Sequence, residues 1–229
     1  MPVLSPHHHH HHAPRADVPI RTVLFGSFYR GYCLLDALLA GPQRHRFHVV
    51  GVVTDDVTQP FISRERRVWG YPHQPWEATM VEDLAIRHRL PLHKGRVKTP
   101  TFHAMYSEDW RPDLCLSATF GQRFDEALFE HPCLGFYNLH PCLEGPWPSP
   151  YAGPNPFQAL FDDGQDHCTV ALHRVNAGLD TGELIALSPR IPIPPGVGVI
   201  DMHKLSAPLC AHFCIDTLLA RIDGKEPAP

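Results

Sequence analysis

The stretch "RTVLFGSFYRGYCLLDALLAGPQRHRFHVVGVVTDD", residues 21–56, decides the fold. "RTVLFGS" is a short apolar run of β-forming residues that ends in Gly-Ser, and "YCLLDALLA" sets leucines at helical spacing until Gly41-Pro42 stops it. "FHVVGVVTDD" then repeats the strand pattern as a continuous apolar run, which suits a parallel strand buried on both faces. Strand, helix and strand in that order predict an α/β protein with a doubly wound, mostly parallel sheet and flanking helices.

Outward from this unit the pattern continues. Helices are expected over residues 80–90, 104–113, 125–131 and 155–164, the last with Asn155 as N-cap and Pro156 in its first turn. Strands are expected over 91–97, 114–120, 134–140, 168–175 and 183–193. A final helix over 199–224 should be kinked or divided by Pro208. Residues 57–80, with Pro60, Gly70, Pro72 and Pro75, read as a long irregular loop placed to lie over a site.

At 229 residues and 43% hydrophobic content the chain suits one main core. Six consecutive histidines, His7 to His12, look like a purification tag. Residues 1–17 are therefore set aside as a tag and disordered leader, and 18–229 are expected to form a single domain. A formal charge of −4 offers no basic field for nucleic acid. The seven cysteines form an odd set with no C-x-x-C pair and no secretory leader, which points to a reducing cytoplasm. No uninterrupted apolar run approaches the roughly 20 residues of a membrane span, so a soluble protein with no membrane partner is expected. The prolines are scattered through "GYPHQPW", "GPWPSPYAGPNP" and "SPRIPIPPG" and punctuate loops.

The chemistry centres on "FYNLHPCLEG", residues 136–145. Residues i and i+2 of a strand point to one side, so Asn138 and His140 project together, and Pro141 should end the strand there. Strand ends are where open α/β sheets build their sites. Taken alone, Asn138 reads more readily as a turn residue and His140 as a satisfied core imidazole than as a catalytic pair. "FGSFYRG" lacks G-x-G-x-x-G spacing, and neither a P-loop nor a G-x-S-x-G elbow occurs, which disfavours dinucleotides, ATP and a serine nucleophile. Cys210 and Cys214 lie at helical i,i+4 spacing while His212 faces elsewhere, so they read as core thiols and no metal is expected.

From residue 117 onward "SATFGQRF", "LGFYNLHPCLEG", "YAGPNPFQAL" and "CTVALHRVNAGLDTGELIA" follow in order. Together they resemble the catalytic domain of the formyltransferases that use 10-formyltetrahydrofolate. That family's pattern is an aromatic-Gly strand end, G-x-x-N-x-H-P, a loop, then an Asp followed by small residues. The match covers about half of the chain closely, and the N-terminal units fit the family's Rossmann-like sheet more loosely. The resemblance implies that Asn138, His140 and Asp180 are catalytic. It implies that Phe120, Gly121, Gln122, Arg123 and Phe124, with Asn176, Ala177 and Gly178, meet the pterin of the folate, largely through backbone groups. Arg123 reads equally as a solvated surface charge. His173 and Asp166 match no family position and read as ordinary strand or loop residues.

Formyl transfer to an amine passes through a tetrahedral intermediate, which needs a stabilised oxyanion and a proton acceptor for the attacking nitrogen. A preorganised Asn amide is a neutral donor of the kind whose removal costs about 3 to 4 kcal/mol. An imidazole bonds the same oxygen or shuttles a proton near neutral pH. Asp180 beside it would orient the ring or relay the proton.

The departures concern the acceptor. The chain has "HPCLEGPWPSPYAG" where family members commonly have a shorter S-L-L-P to Y-R-G step, with Ala152 in place of the usual Arg. Glu144, Tyr151 and Asn155 in that loop are candidates for touching the acceptor, and a proline-stiffened surface loop is the equal alternative. "FGSFYRGY" lacks the Gly-Ser-Asn loop that holds a phosphorylated acceptor in glycinamide ribonucleotide formyltransferases. The C-terminal domain of initiator-tRNA formyltransferases is not expected, and the negative charge opposes tRNA. Small amines remain. "PWPSPYAGPNPFQAL" and "DMHKLSAP" most resemble the hydroxyornithine formyltransferases of hydroxamate siderophore biosynthesis. An amino-sugar nucleotide formyltransferase, a 10-formyltetrahydrofolate hydrolase and a non-catalytic folate-binding module are the alternatives.

Overall fold

The two apolar runs of residues 21–56 form neighbouring parallel strands, Ile20–Gly26 (β1) and Phe47–Thr54 (β2), joined by the helix Phe28–Ala40 (α1). The structure is a computed structural model that describes residues 17–59 and 68–225. The histidine run, and residues 60–67 of the expected loop, lie outside the described residues.

After β2 come the short helix Pro75–Ala78 (α2), the helix Met80–Arg87 (α3) and the strand Leu92–Lys94 (β3). The helix Pro100–Ala104 (α4) runs into a π-helical turn, Met105–Trp110, before the strand Leu114–Ala118 (β4). Then follow Glu126–Phe129 (α5), Phe136–Cys142 (β5), Pro156–Asp162 (α6), His167–Arg174 (β6), Leu184–Leu187 (β7), Ile191–Pro192 (β8) and Val199–Ile222 (α7). The sheet order is β3-β2-β1-β4-β5-β6-β7, with β8 paired to β6. The first five strands in that order are parallel, and β6, β7 and β8 join antiparallel. The sheet is mixed and mostly parallel, as the alternating pattern predicts.

One face of the sheet packs α1, α3, α6 and α7 through residues such as Leu34, Leu84, Phe157 and Leu218. The opposite face packs an aromatic cluster of Phe25, Phe102, Tyr106, Trp110 and Phe136. Gly51 is required in β2 because a Cβ there would overlap the Trp110 ring. The helices after β1 and β3 thus cover opposite faces, and a crevice opens where β1 and β4 end side by side, the topological switch point.

Three expectations change. Pro141 does not end β5, which continues to Cys142 opposite Val170 and Thr169 of β6. By then β5 has left β4, whose last pair is Ala118 with Leu139. The backbone groups of Val170 opposite Pro141 bond outward to Ser188, so the missing proline N–H faces no partner on either side. Part of the expected 57–80 loop is α2, closed by a capping box in which Glu77 Oε1 accepts from Gln74 N at 2.8 Å. Pro208 does not divide α7, which is continuous over 24 residues. By length and composition α7 could cross a membrane. Its buried residues, among them Met202, Cys210, Cys214 and Leu218, are part of the core with α1.

Candidate active site

The antiparallel register of β5 and β6 builds the site. Asn138 lies opposite His173 and His140 opposite Ala171, so Asn138, His140 and His173 come together where β5 passes the end of β4. Asp180 arrives from the loop between β6 and β7 with φ +52°, a left-handed conformation that Asp tolerates better than most side chains. Its carboxylate fills the gap among the three. Asn138 Nδ2 donates to Oδ1 at 3.0 Å, Gly153 N donates to Oδ2 at 3.2 Å, and His140 Nδ1 stands 3.4 Å from Oδ2.

The ring partners fix the tautomers. His140 Nε2 lies 2.8 Å from the Tyr151 carbonyl, which only accepts, so Nε2 carries a proton. In a neutral ring Nδ1 is then a bare lone pair facing Asp180 Oδ2. His173 Nδ1 lies 2.9 Å from the Arg174 carbonyl, and its Nε2 stands 3.2 Å from Asn138 Nδ2 and 3.5 Å from Asp180 Oδ1. Asn138 Nδ2 is thus flanked by the Asp180 carboxylate and the His173 ring.

Burial pushes the His140 pKa down, and the Arg30 charge adds to this against the pull of Asp180. Burial alone would raise Asp180, but His173, the proximity of His140 and the Gly153 N–H together hold it below the ordinary carboxylate range. The resting state is an ionised Asp180 beside a neutral His140, two acceptors that can share one incoming proton.

A cavity of roughly 340 Å³ opens onto this cluster and is lined by Asn138, His140, His173 and Asp180. Phe120, Gln122, Arg123, Phe124, Asn176 and Gly178 of the expected folate segments also line it, whereas Gly121 and Ala177 do not. Gly121 N is held by Asp55 Oδ1 at 3.0 Å, which fixes the loop after β4. The Gln122 side chain is tied to Val97 N and the Gly95 carbonyl, and Asn176 Oδ1 accepts from Gly178 N and Thr181 Oγ1. These side chains shape their loops, and the backbone is left to meet a ligand.

The three acceptor candidates do not line the cavity. Glu144 is drawn away to Arg190 Nε at 2.6 Å and His167 at 3.2 Å. The Tyr151 hydroxyl donates to Asp163 Oδ2 at 2.7 Å, and its carbonyl is what bears on the site, by holding His140. Asn155 takes the N-cap position of α6 without a side-chain capping bond, and its neighbours Pro154 and Pro156 reach the cavity instead. Cys210 and Cys214 are buried on α7 and His212 is exposed, so the three do not converge.

Sequence reasoning missed four residues. His173 was legible as a polar residue in a buried strand, two positions from Ala171 on the face that meets β5. Trp147 folds over it, with Nε1 donating to the Gly182 carbonyl at 2.8 Å and its ring 5.3 Å from the His173 ring. Arg30 and His203 line the cavity from α1 and α7 and carry no local motif.

Comparison with known proteins gives one family and one fold. The profile of the Formyl transferase family matches residues 30–203. A methionyl-tRNA formyltransferase of Thermotoga sp. (strain RQ2) is 30% identical over 175 residues, 76% of this chain and 51% of that protein. One from Roseiflexus castenholzii is 29% identical over 206 residues, 90% of this chain and 60% of its own. The chain thus spans about half the length of the curated relatives it matches. Among solved structures, glycinamide ribonucleotide transformylase 1 from Symbiobacterium toebii superposes with a TM-score of 0.65 at 17% identity, covering 92% of this chain and 91% of that one. A formyltetrahydrofolate deformylase from Pseudomonas syringae pv. tomato also gives 0.65, at 15% identity, over 93% and 65% of the two chains. These structures share the Rossmann-like fold.

Proposed function

The chain belongs to the Formyl transferase family, and from that premise we propose that it transfers a formyl group from 10-formyltetrahydrofolate to a small amine or hydroxylamine. The observation that carries the reading is the convergence of Asn138 and His140 on Asp180, whose carboxylate lies 3.0 Å from the one and 3.4 Å from the other, in the lining of one cavity.

The cavity suits the folate. Phe120 and Phe124 stack at 5.5 Å on one wall and offer an apolar surface, and Thr119 Oγ1 beside them is buried without a hydrogen-bond partner among the described residues. Backbone groups of residues 119–124 and 175–180 would hold the pterin edge. Bound there, 10-formyltetrahydrofolate supplies a formyl carbonyl activated for attack by an amine.

The residues have separable tasks in this reading. Asn138, held in orientation by its bond to Asp180, presents the amide N–H on its His173 side to the developing oxyanion. The His140–Asp180 pair takes the proton that the attacking nitrogen loses, forming an Nδ1–H to Oδ2 bond where two acceptors had faced each other, and returns it to the departing folate nitrogen as the tetrahedral intermediate collapses and the C–N bond to tetrahydrofolate breaks. Trp147 and the proline-rich loop cover His173 and exclude water. A hydroxylamine nitrogen, with its low basicity, demands little of the pair, which supports N-hydroxyornithine in hydroxamate siderophore biosynthesis as the acceptor. The charge of −4 weighs against a tRNA-linked acceptor. The same composition and the cysteine usage support a cytoplasmic site of action, with residues 18–229 as one catalytic unit.

The test is release of tetrahydrofolate from 10-formyltetrahydrofolate, alone and with N-hydroxyornithine, ornithine, an amino-sugar nucleotide or methionyl-tRNA. Release that depends on the hydroxylamine supports the proposal. Release without any acceptor makes the protein a hydrolase, release only with another acceptor reassigns the substrate, and none at all leaves a binding module.

A further inference from the structure

Two buried side chains face the cavity with unmet hydrogen-bonding capacity and take no part in proton handling. Arg30, near the start of α1, is 4% exposed, yet its Nε and Nη1 have no partner among the described residues. His203 of α7 is 5% exposed, and its Nδ1 is also without one. Both line the cavity that holds His140 and Asp180. A guanidinium stays charged at physiological pH, so burying it unpaired is strongly unfavourable, and proteins retain such a group chiefly where a ligand completes it.

The local structure holds both groups in place. A Cβ on Gly31 would come within 2.9 Å of the Gly26 carbonyl carbon, so only glycine there lets the first turn of α1 press against the end of β1, with Arg30 beneath it. The His203 ring is clamped edge-on between Phe28 at 5.8 Å and Phe157 at 4.8 Å. Burial and the Arg30 charge keep that imidazole neutral. The Asp180 carboxylate attracts Arg30 without a hydrogen bond between them.

One fixed cation beside one neutral ring nitrogen matches a single negative charge. The guanidinium presents paired N–H donors in the geometry of a carboxylate, whereas a phosphate dianion would be left half-neutralised. We infer that Arg30 and His203 form a subsite for a carboxylate carried by the acceptor, which orients its nitrogen toward the His140–Asp180 pair. This inference rests on the formyl-transfer reading of the same cavity.

The experiment compares wild type with Arg30→Met and Arg30→Lys on two acceptors that differ only in the carboxylate, N-hydroxyornithine and its decarboxylated counterpart N-hydroxyputrescine. Wild type should prefer the carboxylate by at least about 30-fold in kcat/KM. Arg30→Met should reduce that preference to within about threefold through the acceptor KM, Arg30→Lys should keep part of it, and the folate KM should not move. A binding arm needs no turnover: ornithine should raise the Tm of wild type but not of Arg30→Met, and putrescine and inorganic phosphate should raise neither. Unliganded Arg30→Met should melt at or above wild type, because an unpaired buried charge has been removed. A preference that survives in Arg30→Met, the same ligand shift (or none) in both proteins, a larger shift with phosphate, or an unliganded Arg30→Met that melts well below wild type would each overturn the subsite. Failure of every acceptor to take a formyl group would overturn the transfer reading alone, because the Tm comparison still decides the subsite.

Discussion

Asn138 donates its amide N–H to Asp180 Oδ1 at 3.0 Å across 42 residues of sequence, tying the polar end of β5 to the loop between β6 and β7. The bond holds an Asp in left-handed backbone geometry and aims an amide at the cavity. Removing it should therefore affect chemistry more than folding.

Asn138→Ala should lower kcat about 10²- to 10³-fold, the usual loss of one oxyanion donor, with KM for the folate changed by less than about threefold. Steady-state kinetics with a circular dichroism melt checks this. Unchanged kcat in a folded variant would remove Asn138 from the mechanism.

The pH dependence follows from His140 and His203, both pushed below 6.5 by burial. As pH falls through 6.5 the unfolded chain protonates these rings first, so it binds more protons than the folded state and stability declines. The slope approaches about 1.4 kcal/mol per pH unit for each such imidazole. Urea melts between pH 5 and 8 should show stability rising through this window. Activity should hold its plateau at and above pH 6.5 and fall only below it, since His140 must stay unprotonated to receive the amine proton.

Glu144→Ala should leave kcat/KM within about twofold. The Glu144 carboxyl is held down to about 2, first by Arg190, and both side chains are substantially exposed. Such a surface pair contributes about 0–1 kcal/mol. A large loss of activity would return Glu144 to the acceptor site.

Gly51→Ala should destabilise by about 1–3 kcal/mol, because the added methyl overlaps the Trp110 ring. Activity per folded molecule should be unchanged. A chemical melt with an active-site titration separates the two effects.

The sheet was legible because its strands are nearly continuous apolar runs, as in "FHVVGVVTDD", and because Gly-Ser and Gly-Pro punctuate them. Asn138 and His140 were legible from strand alternation, and Asp180 only through resemblance, since nothing in its local sequence marks a left-handed carboxylate. The fate of Pro141 depended on β5 leaving β4 after Leu139, two residues earlier, a register fact with no local signal. In the sequence, Glu144, Tyr151 and Asn155 share only their place in the enlarged loop. What decides their roles is which partner each finds: Arg190, Asp163 and the start of α6. Arg30 and His203 were silent because what marks them is ring and guanidinium nitrogens left without a partner among the described residues, and an unmet hydrogen bond exists only in three dimensions.

The most direct measurement is single-turnover formyl transfer by Asp180→Asn, a substitution that keeps the size and tolerates the same backbone geometry but removes the proton acceptor. Transfer from bound 10-formyltetrahydrofolate should slow at least about 100-fold while folate affinity stays within about threefold. Transfer at the wild-type rate would contradict a shared proton between His140 and Asp180.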